Sequence, residues 1–249
     1  MMAALDLSGG LLAWLAAVVF LAGVARGFTG FGASATIMAL AAVWIAPIDL
    51  IPICLLLELT GSTLLLRGGI GHADKPLAGT LVGMAFVGVP LGLHLTRTLD
   101  PDTSRVIALA LVAGLAALQL ARIPLPVGRG RAGAALVGLL AGVVNGLASI
   151  GGLVHALYLA ARSLQPRTMR GTMILIITIG GTITFFWQVL LGVLTGQAAL
   201  RYAVLLAPFV AGLWLGRRYF TPENERHYRP VSLTLLVVLA GAGLVRQVM

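Results

Sequence analysis

The sequence predicts an all-α polytopic membrane protein of two inverted repeats, each a re-entrant, broken helical hairpin followed by three transmembrane helices. Three observations carry this. The chain of 249 residues is 59% hydrophobic and 10% charged, with a mean hydropathy of +1.02, whereas soluble domains carry about 25% charged residues. Several uninterrupted apolar runs approach the ~17–25 residues that cross a bilayer. Two longer apolar stretches are interrupted near their middles by glycine.

The first long stretch, Leu11 to Ala46, holds one charge, Arg26, and breaks at GFTGFG, residues 27–32. At ~1.5 Å per residue it is too long for one ordinary span and too short for two. Two half-length helices joined by a glycine turn fit it. Three spans follow, at Ile51–Leu66, Leu77–Thr96 and Val106–Ala121. The second long stretch, Ala132 to Ala161, is uncharged and breaks at GLASIGG, residues 146–152. Three more spans follow it, at Gly171–Gly192, Ala198–Gly216 and Val231–Val245. We expect one transmembrane domain over 1–249, with a first repeat at 11–121 and a second at 132–246.

The cations test the hairpins. If each broken stretch returns to the side it came from, Arg97, Arg105, Arg201 and Arg246 lie on one side. Arg67, Lys75, Arg122, Arg129, Arg131, Arg162, Arg167, Arg170, Arg217, Arg218, Arg226 and Arg229 lie on the other. If each broken stretch crosses once, the cations divide almost evenly. Cytoplasmic loops carry an excess of Lys and Arg, which favours the hairpins. It also puts both termini outside the cytoplasm.

Internal similarity supports the repeat. Shifting by 119 positions brings Gly27 onto Gly146, Gly32 onto Gly151, Pro47 onto Pro166 and Arg26 onto Asn145. A shift of 121 brings Arg97, Pro101, Asp102 and Arg105 onto Arg218, Pro222, Glu223 and Arg226. Three crossings per repeat is an odd number, so the second copy enters from the opposite side. Inverted repeats with broken helices are the architecture of many secondary transporters, whose sites lie near the midplane.

Several function classes are disfavoured. The net charge of +9 comes from short loops and not from a basic stripe interleaved with aromatics, so we expect no nucleic-acid partner. The one cysteine, Cys54, permits no internal disulfide. Asp6 before the first apolar run, with no basic segment, argues against a cleaved signal peptide. No metal-ligand spacing, phosphate loop or nucleophile elbow appears, so we expect no cofactor, no metal and no enzyme. A purely structural subunit would leave the paired broken helices unexplained.

The residues with chemistry cluster at the breaks. After each turn a helix begins whose first amides carry partial positive charge. Glycine lets a small anion approach such backbone. The first turn offers Gly27, Phe28, Thr29, Gly30, Phe31, Gly32, Ala33 and Ser34; the second offers Gly146, Ser149, Gly151 and Gly152. The same glycines would also serve tight packing. Arg26 is a cation inside an apolar stretch, and its fork of donors suits an oxoanion. The alternative is an ion pair with Glu58. Asn145, the repeat mate of Arg26, would add amide polarity. Glu58 shares a helix face with Cys54 and Ser62 and is the candidate for proton coupling, or else the structural partner of Arg26. His155 is either a ligand-facing or an interhelical residue. Thr178, Thr182 and Gln188 either line the path or bond within their helix. Phe28 and Phe31 could form an apolar wall beside the charged pocket.

With its GFTGFG turn, its GLASIGG turn, a proline 15–20 residues after each and the two-fold repeat, nearly the whole chain resembles the sulfite exporter TauE/SafE family of bacterial membrane transporters. A further glycine is usual in that family where this chain has Ala33 and Ser34. The resemblance implies export of small sulfur-containing oxoanions such as sulfite or organosulfonates. The residues themselves point to a secondary active transporter of a small oxoanion, working by alternating access. A passive anion channel and a transporter of another small organic anion are the alternatives. Expected partners are the anion, membrane lipid and protons as candidate coupling ion, with a homo-oligomer left open.

Overall fold

The computed structural model describes residues 7–66, 70–123, 125–128, 130–162, 164–219 and 222–248. Arg67 and Arg129, and the side chains of Arg226 and Arg229, lie outside them. Ten α-helices follow one another among the described residues: α1 (Gly9–Thr29), α2 (Ala33–Ala41), α3 (Pro47–Leu66), α4 (Lys75–Thr98) and α5 (Pro101–Leu120), then α6 (Arg131–Ala148), α7 (Gly151–Ala161), α8 (Pro166–Leu190), α9 (Gly196–Arg218) and α10 (Pro222–Val248). Helices α1, α3, α4, α5, α6, α8 and α9 are long and apolar enough to cross a membrane. The protein is therefore a multi-pass membrane protein.

Local chemistry sets the helix ends. Ser8 caps α1 by accepting from the Leu11 amide at 3.3 Å. Asp74 caps α4 by accepting from Leu77 N, with Pro76 in the first turn. In the repeated Arg-x3-Pro motif, Asp100 accepts from the Asp102 and Thr103 amides at 3.1 and 2.9 Å, and Pro101 opens α5. Hydrogen bonding to Thr103 holds the Asp100 carboxyl below its usual range.

The broken stretches differ from the expected pair of half-length helices. Their first legs, α1 and α6, have 21 and 18 residues, and only the second legs, α2 and α7, are short at 9 and 11. The first legs are full length because each has a full-length partner to cover it. Helix α1 runs parallel to α9: Gly23 and Gly27 meet Phe209 to Arg217, and Gly212 and Gly216 meet Phe20 and Val24. Helix α6 runs parallel to α4 in the same way, through Gly88 and Gly92 on one side and Gly138, Gly142 and Gly146 on the other. The packing is reciprocal, since each hairpin's first leg lies on the second span after the other hairpin. Helix α3 packs on α8, and α5 on α10.

Small residues let these backbones approach closely. A Cβ on Gly146 would sit 2.4 Å from the Val89 carbonyl oxygen and 2.5 Å from Leu93 N. Gly146→Ala is thus expected to force α4 and α6 apart and cost at least about 1–3 kcal/mol, read as a lower midpoint of thermal unfolding. Gly114→Ala on α5 meets nothing within 4 Å and should leave that midpoint unchanged or raised.

The ends of the bundle bear on topology. Arg97, at the end of α4, and Arg201, near the start of α9, line one cavity. The hairpin arrangement puts them on the same side, whereas single crossings would put them at opposite faces.

Candidate functional site

The first turn is made by Gly30 and Gly32, at φ 83° and 91°. These left-handed conformations favour glycine. Gly30 N donates to the Arg26 carbonyl at 2.9 Å and ends α1. The second turn follows the same plan at a shift of 119 residues: Ser149, at φ 57°, donates its amide to the Asn145 carbonyl at 2.7 Å. Thr29 braces the first turn through its hydroxyl, bonded to the Ala25 and Phe31 carbonyls at 2.8 and 2.5 Å. Arg170 of α8 donates to the Gly27 carbonyl at 3.0 Å.

Arg26 is fully buried, with two nitrogens hydrogen-bonded and the third in an ion pair. Nη1 donates to the Gly30 carbonyl, Nη2 donates to Ser62 Oγ at 2.5 Å, and Nε lies 3.1 Å from Glu58 Oε2. Gly61 makes the space: a Cβ there would come within 3.2 Å of Arg26 Nε. The predicted face of Glu58 and Ser62 on α3 is the face that receives the guanidinium. Arg26 therefore meets Glu58 and is not among the residues lining the central cavity.

Glu58 has a second set of partners. Its Oε1 accepts from Ser34 N at 3.2 Å and from Ser34 Oγ at 3.1 Å. A carboxylate thus sits at the first turn of α2, where helix-end amides favour an anion. The place that the sequence offers to a substrate anion at the first turn is filled by the protein's own acid. Ser34 supplies both donors, one from its backbone and one from its hydroxyl.

At the second turn no side chain caps α7. Gly151, Gly152, Ser149, Asn145 and His155 surround its start, and all of them line a cavity with Gly32, Ser34 and Glu58 across from them. Asn145 Nδ2 donates to Thr184 Oγ1 at 3.1 Å. His155 is 6% exposed, and its Nε2 has no hydrogen-bond partner. The cavity has about 60 Å³ of room for water, where ~10–15 Å³ holds one molecule. That is space for a small anion with a few waters. The lining residues contributed by α3, α4 and α8, among them Leu55, Ala85, Gly180 and Thr184, lie around the midpoints of their helices. The cavity is therefore at mid-depth.

The structure thus brings Gly32, Ser34, Glu58, Asn145, Ser149, Gly151, Gly152 and His155 together at one cavity. Other candidates lie elsewhere. Gly27 and Gly146 serve helix packing, Thr29 and Gly30 build the turn, and Phe28 and Ala33 are buried outside the cavity lining. Phe31 packs in the core, so the apolar wall comes from the aliphatic residues of α3, α4 and α8 and not from Phe28 and Phe31. Thr182 is exposed on the outer face of α8 and bonds its own helix at the Thr178 carbonyl, 2.9 Å away. Thr178 likewise bonds Ile174. Gln188 is fully buried but one turn beyond this cavity. Thr184 and the small residues of α4 were not singled out from the sequence. The spacing of Gly180, Gly181 and Thr184 on one helical face was the available signal.

A model of the family described as Sulfite exporter TauE/SafE matches residues 15–243. No curated protein and no solved structure matches the chain.

Proposed function

The chain belongs to the sulfite exporter TauE/SafE family, and on that premise we propose that it is a secondary active exporter of a small sulfur-containing oxoanion, sulfite or an organosulfonate. The anion binds at the start of α7, facing Gly151, Gly152, Ser149, Asn145 and His155. The observation that carries this reading is the contrast between the two turns. One helix start is occupied by Glu58, while the other opens on a mid-depth cavity with an unpartnered histidine nitrogen. A buried polar atom without a partner is costly, and a ligand that accepts or donates there removes the cost.

Arg26 acts as a positioning residue, holding Glu58 and the Gly30 turn. Glu58 lines the cavity and is the group that takes up a proton during coupling. Alternating access follows from two inverted repeats moving against each other; the reciprocal packing of α1 on α9 and α6 on α4 supports that repeat. The protein sits in a bacterial inner membrane with periplasmic termini, as the distribution of its cations supports.

The test is ligand stabilisation of purified protein against sulfite, thiosulfate, sulfoacetate, taurine, sulfate and simple carboxylates, since binding raises the unfolding temperature by mass action. Stabilisation by sulfur oxoanions above carboxylates supports the reading, and stabilisation by carboxylates alone overturns it. In proteoliposomes a proton gradient should drive uphill accumulation. Glu58→Gln should abolish that drive while anion binding persists. Flux that only dissipates gradients would instead identify a channel.

A further inference from the structure

A second cavity lies at the end of the bundle where α4 finishes and α9 begins. It is lined by Arg97, Arg201, Asp49, Thr195 and Gln197, among others. Two guanidinium groups and one carboxylate leave it with a net positive charge. Thr195 caps α9 by accepting from Ala198 N at 3.1 Å, so the positive end of α9 opens here as well. Arg201 is 6% exposed, although it is charged. Arg97 is exposed and donates to the Leu191 carbonyl at 2.7 Å, which ties the end of α4 to the α8–α9 connection.

The two cavities lie in sequence along α8 and the turn that follows it. Thr184 lines the central one, and Gly192 and Val193 line the second. Gln188 lies midway, one helical turn from each. It is fully buried, and both its side-chain Nε2 and Oε1 lack a hydrogen-bond partner. An amide without partners between two cavities is unexpected in a packed core, because such groups are normally satisfied. A transient occupant passing between the cavities would satisfy it.

We infer that the Arg97–Arg201 cavity is a separate anion station at the mouth of the transport path, reached from the central cavity past the Gln188 amide. It takes small monovalent or divalent oxoanions by charge and helix-end amides, and concentrates them at one end of the protein. The station itself is independent of what binds at α7; only the route past Gln188 rests on the proposed function.

Thiol labelling tests it, because the one native cysteine, Cys54, is fully buried. Gln197→Cys places a partly exposed thiol in the cavity. In vesicles, the anionic 2-sulfonatoethyl methanethiosulfonate should label it about tenfold faster than the cationic trimethylammonioethyl reagent. Arg97→Gln, a change at an exposed residue, should shrink that preference several-fold. Adding Arg201→Gln should bring it near parity. Sulfate should slow the anionic reagent only when the arginines are present. Equal rates for the two reagents, or a preference unchanged by Arg97→Gln, would overturn the station. Gln188→Leu should leave the labelling preference intact and reduce transport at least about tenfold. Unchanged transport would overturn the route without touching the station or the α7 site.

Discussion

Arg26→Ala is expected to destabilise the fold by about 3–5 kcal/mol, the loss usual when one partner of a buried ion pair is removed. The substitution strips three groups at once. Glu58 Oε2 loses its counter-charge, and the Gly30 carbonyl and Ser62 Oγ lose their donors. At about 2–4 °C per kcal/mol for a chain of this size, unfolding should shift down by roughly 6–20 °C. A double variant, Arg26→Met with Glu58→Leu, should recover most of that stability, because apolar replacement of a buried pair is often near neutral. It should not recover proton-driven transport. If Arg26→Ala unfolds within a degree of the native protein and only loses anion affinity, Arg26 meets the substrate and not Glu58.

Gly152→Val should do the opposite, leaving the fold intact and removing function. Gly152 lines the central cavity in the first turn of α7, and a Cβ there meets nothing nearer than Met173 Cε at 4.0 Å. The added methyl groups stand where an anion approaches the helix-end amides. Affinity for the sulfur oxoanion should fall by more than about tenfold, or ~1.4 kcal/mol. The unfolding temperature without ligand should move little, since no packing is broken. Calorimetry on the purified variant reads both. Native affinity in Gly152→Val would remove α7 from the binding site.

Much of the fold was legible in the chain. Ile51–Leu66, Leu77–Thr96 and Ala198–Gly216 fall within α3, α4 and α9, because span length and apolarity are properties of consecutive residues in lipid. The turns were legible for a similar reason: GFTGFG contains Gly30 and Gly32, both at positive φ. The length of the first legs was not. Glycine near the middle of an apolar stretch suggested half-helices, yet α1 and α6 run on to 21 and 18 residues. Their glycines are contact points with α9 and α4, and nothing near them in sequence says which partner they meet.

The site divides the same way. Composition and the paired glycine turns determined by themselves that this is a multi-pass membrane protein with two broken apolar stretches, since bilayer thickness and backbone hydrogen bonding act on each segment alone. Which helix start is met by a carboxylate was decided only in three dimensions. Glu58 lies 24 residues beyond Ser34, and the two meet because α3 folds back along α2. Thr184 reaches Asn145 across 39 residues, and Arg97 and Arg201 share a cavity though they come from different halves of the chain. A sequence displays charges and amides one by one; whether a carboxylate from a neighbouring helix already occupies a helix end depends on which faces pack together.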